Sequence, residues 1–316
     1  MKKYLLPENG RFYKANLHCH STCSDGRKTP EQLKELYRSL GYSILALTDH
    51  NVFVPHPELN DENFLALHGT ELEVIEPVDD PDFNYKNPCH LCMIALDPSI
   101  PALPKFERWE YTGECLSEVM QTARDNGFFV TYNHPCWSRE NYEQYTAYRG
   151  MHAMEMFNGG ALTTGYTDYN PRVYDDILRS GNRIYCIGAD DNHNVCSDTA
   201  SRKSDSGVAF TFIKADSLDY PSISDALLKG NFYASQGPRI EELWYEDGRV
   251  YVRCSEADRI NSNRQYRCDA TVMAEQGQSL TEASFKINPD YGYFRITVTD
   301  ARGRTACTNA YFPDSL

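Results

Sequence analysis

Positive charge is scarce in this chain. Lys and Arg number 31 against 45 Asp and Glu, a net charge of −14. That argues against extended contact with a nucleic-acid backbone or an anionic membrane, since both need clustered basic side chains. A small anionic substrate stays open, because bound metal ions can dominate a local field. Long apolar runs are missing too. No stretch approaches the length of a membrane span, and MKKYLLPENG offers only a three-residue apolar run before Pro7, too little for a secretory signal. There is no low-complexity segment and no convincing repeat. Eleven cysteines, an odd number scattered over 316 residues, make no disulfide framework. They fit reduced thiols, so the expected location is the cytoplasm. The oligomeric state is not legible.

What is present is a globular composition, 41% hydrophobic and 24% charged. TPEQLKELYRSLG predicts a helix, with Thr29 and Gln32 as a capping box, Pro30 at the first turn and Leu33, Leu36, Tyr37 and Leu40 at helical spacing. SILALT after it reads as a buried strand. The pairing recurs in GECLSEVMQTARDNG with FFVTYNHP, and in NPRVYDDILRSG with RIYCIGADDNH. Seven strands are expected before residue 195, around Leu17, Leu45, Leu67, Met93, Val130, Met154 and Ile187. Alternating strands and helices imply an α/β fold with a parallel sheet, which seven strands can close into a barrel. After residue 235 the pattern changes. LWYEDGRVYVRCS predicts a hairpin turning at Asp247-Gly248, and YFRITVTDARGRTACTNAYF alternates at period two. The expected division is residues 1–236 for the barrel and 237–316 for a small all-β, sandwich-like domain.

The chemistry concentrates at strand ends. In NLHCHSTCSDG, His18 and His20 share a strand face, and Asp25 follows five residues on. His50 ends the second strand, Glu71 lies in the third, and His90 is at or beside the fourth. His134 ends the fifth, and Asp191 and His193 end the seventh. Each alone is weak, and His90 by itself reads as a core histidine. Their coincidence at successive strand ends, where barrel enzymes build active sites, points to metal.

Other residues read as structural. Cys89-x-x-Cys92 has no second cysteine pair and Cys19 points away from its neighbours, so all three read as buried thiols. His68 falls on the opposite strand face from Glu71, and His56 and His152 join no constellation. Ser21, Ser24 and Ser138 sit in no nucleophile elbow. Glu155 either supports the site or faces solvent.

His18-x-His20, Ser24-Asp25-Gly26, Thr48-Asp49-His50, Glu71, His90, Asn133-His134-Pro135 and Asp191-x-His193 together resemble the polymerase and histidinol phosphatase (PHP) family over roughly residues 12 to 235. The resemblance implies a distorted seven-stranded (β/α) barrel and a metal-dependent phosphoesterase with two or three divalent ions, zinc, manganese or iron. It implies one ion on His18, His20, Glu71 and Asp191, with Glu71 bridging to a second held by His90 and His134. A third would lie on Asp25, His50 and His193, where some members have histidine in place of Asp25. Asp191 is chosen over Asp190 because it shares a strand face with His193. Asp25, His50 and His193 are the candidates for moving protons. Arg27, Arg202 and Lys203 are the basic residues nearest in sequence to the ligands, and each reads equally as a phosphate contact or solvated surface. The expected reaction is hydrolysis of a small phosphorylated metabolite or nucleotide by metal-activated water. An amide, carbamate or ester hydrolase on the same ligands is one alternative, and a non-catalytic, metal-stabilised binding protein is another.

Overall fold

A computed structural model describes residues 2–77, 86–195, 204–267 and 270–316. Its elements run β1 (Lys3–Tyr4), β2 (Arg11–Asn16), α1 (Pro30–Ser39), β3 (Ile44–Leu47), β4 (Leu65–Ile75) and β5 (Pro88–Ala95). Next come α2 (Gly113–Asp125), β6 (Phe128–Tyr132), α3 (Pro135–Ser138), α4 (Tyr142–Ala147), β7 (Ala153–Asn158), α5 (Gly159–Thr163), α6 (Pro171–Arg179) and β8 (Tyr185–Ala189). The chain continues with β9 (Phe210–Ala215), α7 (Tyr220–Lys229), β10 (Phe232–Ser235), β11 (Ile240–Glu246), β12 (Arg249–Ala257) and β13 (Arg259–Arg264). It ends with β14 (Ala270–Met273), β15 (Leu280–Lys286), β16 (Phe294–Thr299) and β17 (Thr305–Thr308).

Helix α1 starts where its local chemistry dictates. The Gln32 amide N–H donates to Thr29 Oγ1 at 3.3 Å and the Thr29 amide N–H to Gln32 Oε1 at 3.0 Å, satisfying two otherwise orphaned donors. Its Leu33 and Tyr37 are buried against β3 residues Leu45 and Leu47. Helix α2 buries Leu116, Val119, Met120 and Ala123, the stripe expected from spacing.

Strands β2 to β8 are neighbours in chain order. β2, β3 and β4 run parallel, as do β6, β7 and β8. The expected all-parallel order fails at β5, which is antiparallel to both β4 and β6. A parallel step needs a long crossover, usually helical, whereas an antiparallel step can be made by a short connection. The two ends of this array meet just past β2 and β8. There Cys19 and Asn192 form a parallel bridge, the Asp191 amide donates to the His18 carbonyl at 3.0 Å, and the His20 amide donates to the Asn192 carbonyl at 3.1 Å.

The C-terminal strands lie in two sheets. β1, β11, β12 and β15 form a four-stranded sheet. β14, β13, β16 and β17 continue the large sheet through β10 and β9. Apolar residues of both, among them Ile240, Leu243, Val250, Phe285, Ile260, Ile296 and Val298, share one core. The β11–β12 turn sits at Asp247 and Gly248, both with positive φ, as a tight hairpin turn requires. Among the described residues no helix is long and apolar enough to cross a membrane.

Candidate metal centre

Six imidazoles and three carboxylates converge at one end of this strand array. His18 and His20 leave β2 on one face, both fully buried, with their Nε2 atoms 3.0 Å apart. Glu71 reaches them from β4. Its Oε2 stands 3.1 Å from His18 Nε2, 3.2 Å from His20 Nε2 and 3.2 Å from His50 Nδ1. Its Oε1 is 3.0 Å from His90 Nδ1 and 3.1 Å from His134 Nε2. Asp191 Oδ1 lies 3.2 Å from His18 Nε2 and 3.1 Å from His20 Nε2. One glutamate thus touches five imidazoles.

The reversal of β5 explains how His90 joins them. His90 is near the start of its strand, paired in register with Glu73. Running β5 backwards carries that start to the end of the sheet where its parallel neighbours finish. His90 is therefore delivered from the opposite strand end to the other histidines.

The outer group is looser. Asp25 follows a turn held by Asp49, which accepts from the Ser21 amide at 2.7 Å, the Ser21 hydroxyl at 2.8 Å and the Ser24 hydroxyl at 2.7 Å. Asp25 Oδ2 is 3.4 Å from His193 Nε2 and 3.9 Å from His50 Nε2, and its Oδ1 is 3.8 Å from His20 Nδ1. The His20 ring packs against both His50 and His193, with ring centroids 4.3 and 4.2 Å away.

Three sets have ligand atoms within 4.8 Å of one another: His18, His20, Glu71 and Asp191; His50, Glu71 and His90; and His20, Asp25, His50 and His193. The donors suit divalent ions, and the local chemistry calls for them. Glu71 Oε2 and His20 Nδ1 are buried with no hydrogen-bond partner, an arrangement that costs about 1–3 kcal/mol per group unless something else satisfies it.

Carboxylates and a hydroxyl hold the outward nitrogens of three of these histidines. His18 Nδ1 is 2.7 Å from Glu155 Oε1, His90 Nε2 is 2.9 Å from Glu73 Oε2, and His134 Nδ1 is 3.2 Å from Ser138 Oγ. Such partners fix a ring's tautomer and aim its other nitrogen inward. Glu155, left open between support and solvent, is buried and also accepts the His134 amide at 2.8 Å. Glu73 was not anticipated, although Glu71-x-Glu73 places both on one strand face. Asp205, also unanticipated, accepts the His193 and Asn194 amides, each at 2.9 Å.

Asp190 and Asp191 take different parts. Asp190 is buried away from the centre and accepts the amides of Gly207, Val208 and Ala209, at 2.6, 2.8 and 2.9 Å. Burial pushes its carboxyl up to about 6 despite those bonds. Asp191 has φ of 49°, a left-handed turn beyond the end of β8, and it lies in the centre. Electrostatics separate the outer histidines likewise. Burial drives His50 down to about 4. At His193 burial opposes the charge, but the Asp25 hydrogen bond and the Asp191 carboxylate carry it up to about 9.

The centre floors a cleft of about 460 Å³, whose lining includes Glu73, Trp137, Gly160, Thr163, Thr164 and Val195. Among the described residues none of its lining side chains is Lys or Arg. Arg27 is exposed and does not line it, and Arg202 and Lys203 lie outside the described residues. His68 is buried beside Tyr220, His56 pairs with Glu58 at 2.8 Å, and His152 Nδ1 accepts the Val130 amide at 3.0 Å, all three apart from the centre. Cys19, Cys89 and Cys92 are free, buried thiols.

No family model matches the chain. It is 27% identical to the 5'-3' exoribonuclease Rnm of Salmonella typhimurium over 156 residues, 48% of this chain and 45% of that protein. The chain thus spans less than half the length of that relative. A two-domain protein from Bacteroides vulgatus, described as containing a predicted PHP-like metal-dependent phosphoesterase, superposes over 94% of each chain at 18% identity, with a TM-score of 0.48. An amidohydrolase from Chromobacterium violaceum, solved with bound sulfate and no metal, covers 57% of this chain and 87% of its own at 15% identity and a TM-score of 0.36. The chain is similar to PHP-like metal-dependent phosphoesterases, the resemblance its motifs carry.

Proposed function

We propose that this protein is a metal-dependent hydrolase of phosphoesters, built on β2 to β8 as a distorted seven-stranded barrel with a β-sandwich domain from residue 237. The observation that carries the reading is Glu71, a buried carboxylate with five imidazoles around its two oxygens at the floor of an open cleft. Structural metal sites are closed, so an open cleft above the ligands speaks for chemistry over mere stabilisation.

In this reading His18, His20, Glu71 and Asp191 hold one divalent ion. Glu71, His90 and His134 hold a second, with His50 within reach of the same carboxylate. Asp25, His50 and His193 hold a third. Zinc, manganese and iron all suit these donors. Such ions, when bound, supply Lewis-acid charge for the ester oxygens and lower the pKa of water towards neutrality. The protein's own part is orientation. Glu155, Glu73 and Ser138 fix the rings of His18, His90 and His134. Where the third ion is absent, His193 Nε2, paired with Asp25, would be free to hold a proton at the cleft rim.

The substrate is a small phosphorylated molecule or a nucleotide. A second reading keeps the same ligands but cleaves an amide, carbamate or ester, and one observation favours it: no described lining residue is a basic phosphate clamp. Arg27 does not line the cleft, which leaves Arg202 and Lys203 as the proposed phosphate contacts.

The test is to load the purified protein with manganese, zinc or iron and assay phosphomonoesters, phosphodiesters and a short oligoribonucleotide beside aryl esters and carbamates. Turnover of phosphorus substrates, inhibited by inorganic phosphate, is the expected result. Turnover of carbon esters alone, indifferent to phosphate, overturns it in favour of the second reading.

A further inference from the structure

We infer that Trp137 sets the specificity of the cleft, giving a flat apolar wall against which a planar aromatic group of the substrate stacks, close to the bond that is cut. The inference rests on the metal centre proposed above, and it adds what the metal ligands cannot supply, a preference for what the reacting group is attached to.

Trp137 sits three residues after His134 on the single turn of α3. That turn is pinned at both ends. His134 has φ of 26° and Arg139 φ of 60°, the Trp137 amide donates to the His134 carbonyl at 2.9 Å, and Ser138 Oγ is 3.2 Å from His134 Nδ1. The His134 amide is itself held by buried Glu155 at 2.8 Å. The backbone that carries the indole is thus held relative to a proposed ligand by the bonds that fix that ligand. Gly160, which also lines the cleft, is held as closely. A Cβ there would stand 2.6 Å from the Asp191 carbonyl oxygen, so its backbone packs directly on a ligand residue.

The ligand rings meet the indole without lying parallel to it. Trp137 meets His134 edge-on, 5.0 Å between centroids at 75°, and His90 tilted, 5.5 Å at 46°. Neither imidazole stacks flat on it, and among the described residues no other aromatic ring contacts it. Trp137 is only partly buried and lines the cleft, whose lining also includes Thr163 and Thr164. Protein cores ordinarily bury an indole and give its N–H a partner. An indole that lines a polar metal cleft with neither full burial nor a described hydrogen bond is placed for contact with a ligand.

The test uses two metal chelators that contain no phosphorus, benzohydroxamate and acetohydroxamate, titrated calorimetrically into metal-loaded protein and its Trp137→Phe, Trp137→Leu and Trp137→Ala variants. Metal content is measured on each. Wild type is expected to bind benzohydroxamate more tightly by roughly five- to hundredfold, the range of one stacked ring. Trp137→Phe keeps most of that preference, and Trp137→Leu and Trp137→Ala lose it at unchanged metal content. If the alanine variant does not fold, the phenylalanine and leucine pair decides, since leucine keeps apolar bulk without a π face. No preference in wild type, or a preference undiminished in the leucine variant, overturns the inference. A protein that shows the preference yet cleaves no phosphoester refutes the proposed reaction and leaves the role of Trp137 standing.

Discussion

The inner and outer ligand groups share chemistry but differ in environment. Inside, the side chains of His18 and His20 are wholly buried, Glu71 is 1% exposed and Asp191 13%. Outside, Asp25 is 57% exposed, His50 24% and His193 27%. Two carboxylates serve the inner quartet and one the outer group. Buried charge is screened least and costs most to leave uncompensated, so an ion on the inner group would be held as part of the fold. The outer group, wet and held partly by a loop, suits an exchangeable ion that comes and goes with conditions. On the proposed reading the same residue types would make one permanent and one labile site, decided by burial.

The largest effect should follow Glu71→Gln, which alters the carboxylate both inner sets share. Metal content falls at more than one site, and phosphoester turnover drops by at least about a thousandfold, the loss of several kcal/mol of transition-state stabilisation. Elemental analysis with steady-state kinetics decides it. A full metal complement in that variant would show that the carboxylate is not shared.

Glu155→Gln tests whether the inner group depends on its supports. The amide keeps the shape but cannot accept the His18 ring proton as a charged partner, so inner-site affinity should fall about 10- to 100-fold. Competition with a fluorescent chelator reads this directly, and wild-type affinity would mean that the ring is held by packing alone.

Asp25→Ala should cost the outer ion and spare the inner one, lowering the stoichiometry by one equivalent. Loss of all metal would join the two groups into one cooperative unit and end the comparison.

The smallest effect is graded, and it comes from pH. His193 is raised to about 9, so below that value an outer ion must displace its proton. Outer-site affinity should therefore weaken by up to about tenfold for each pH unit lowered below 9, while the inner ion persists. Metal titrations from pH 9 to pH 6 check the sign, and an outer affinity independent of pH would remove His193 from the ligands.

Much of this was written locally. The capping box of α1, the apolar stripe of α2 and the Asp247-Gly248 turn depend on residues a few positions apart, and each formed as its neighbours specify. His18 and His20 share a face because strand side chains alternate, a rule that needs no tertiary contact. Trp137 had a faint signal, one helical turn after His134, that nothing in composition raised above an ordinary core tryptophan.

By itself the sequence determined which residues stand at strand ends and that imidazoles and carboxylates dominate there. Periodicity and turn chemistry act over a few residues and do not depend on what packs across from them. Only the tertiary structure decided which ligands share an atom. Glu71 meets five histidines from four separate segments of the chain, a coincidence of strand order that no local pattern encodes. The direction of β5 was decided there as well, since strand pairing is a long-range choice, and that reversal delivers His90. So was the division of labour between Asp190 and Asp191. Adjacent and chemically identical in sequence, they part because a left-handed turn at Asp191 sends one carboxylate to the metal centre while the amides of 207–209 claim the other.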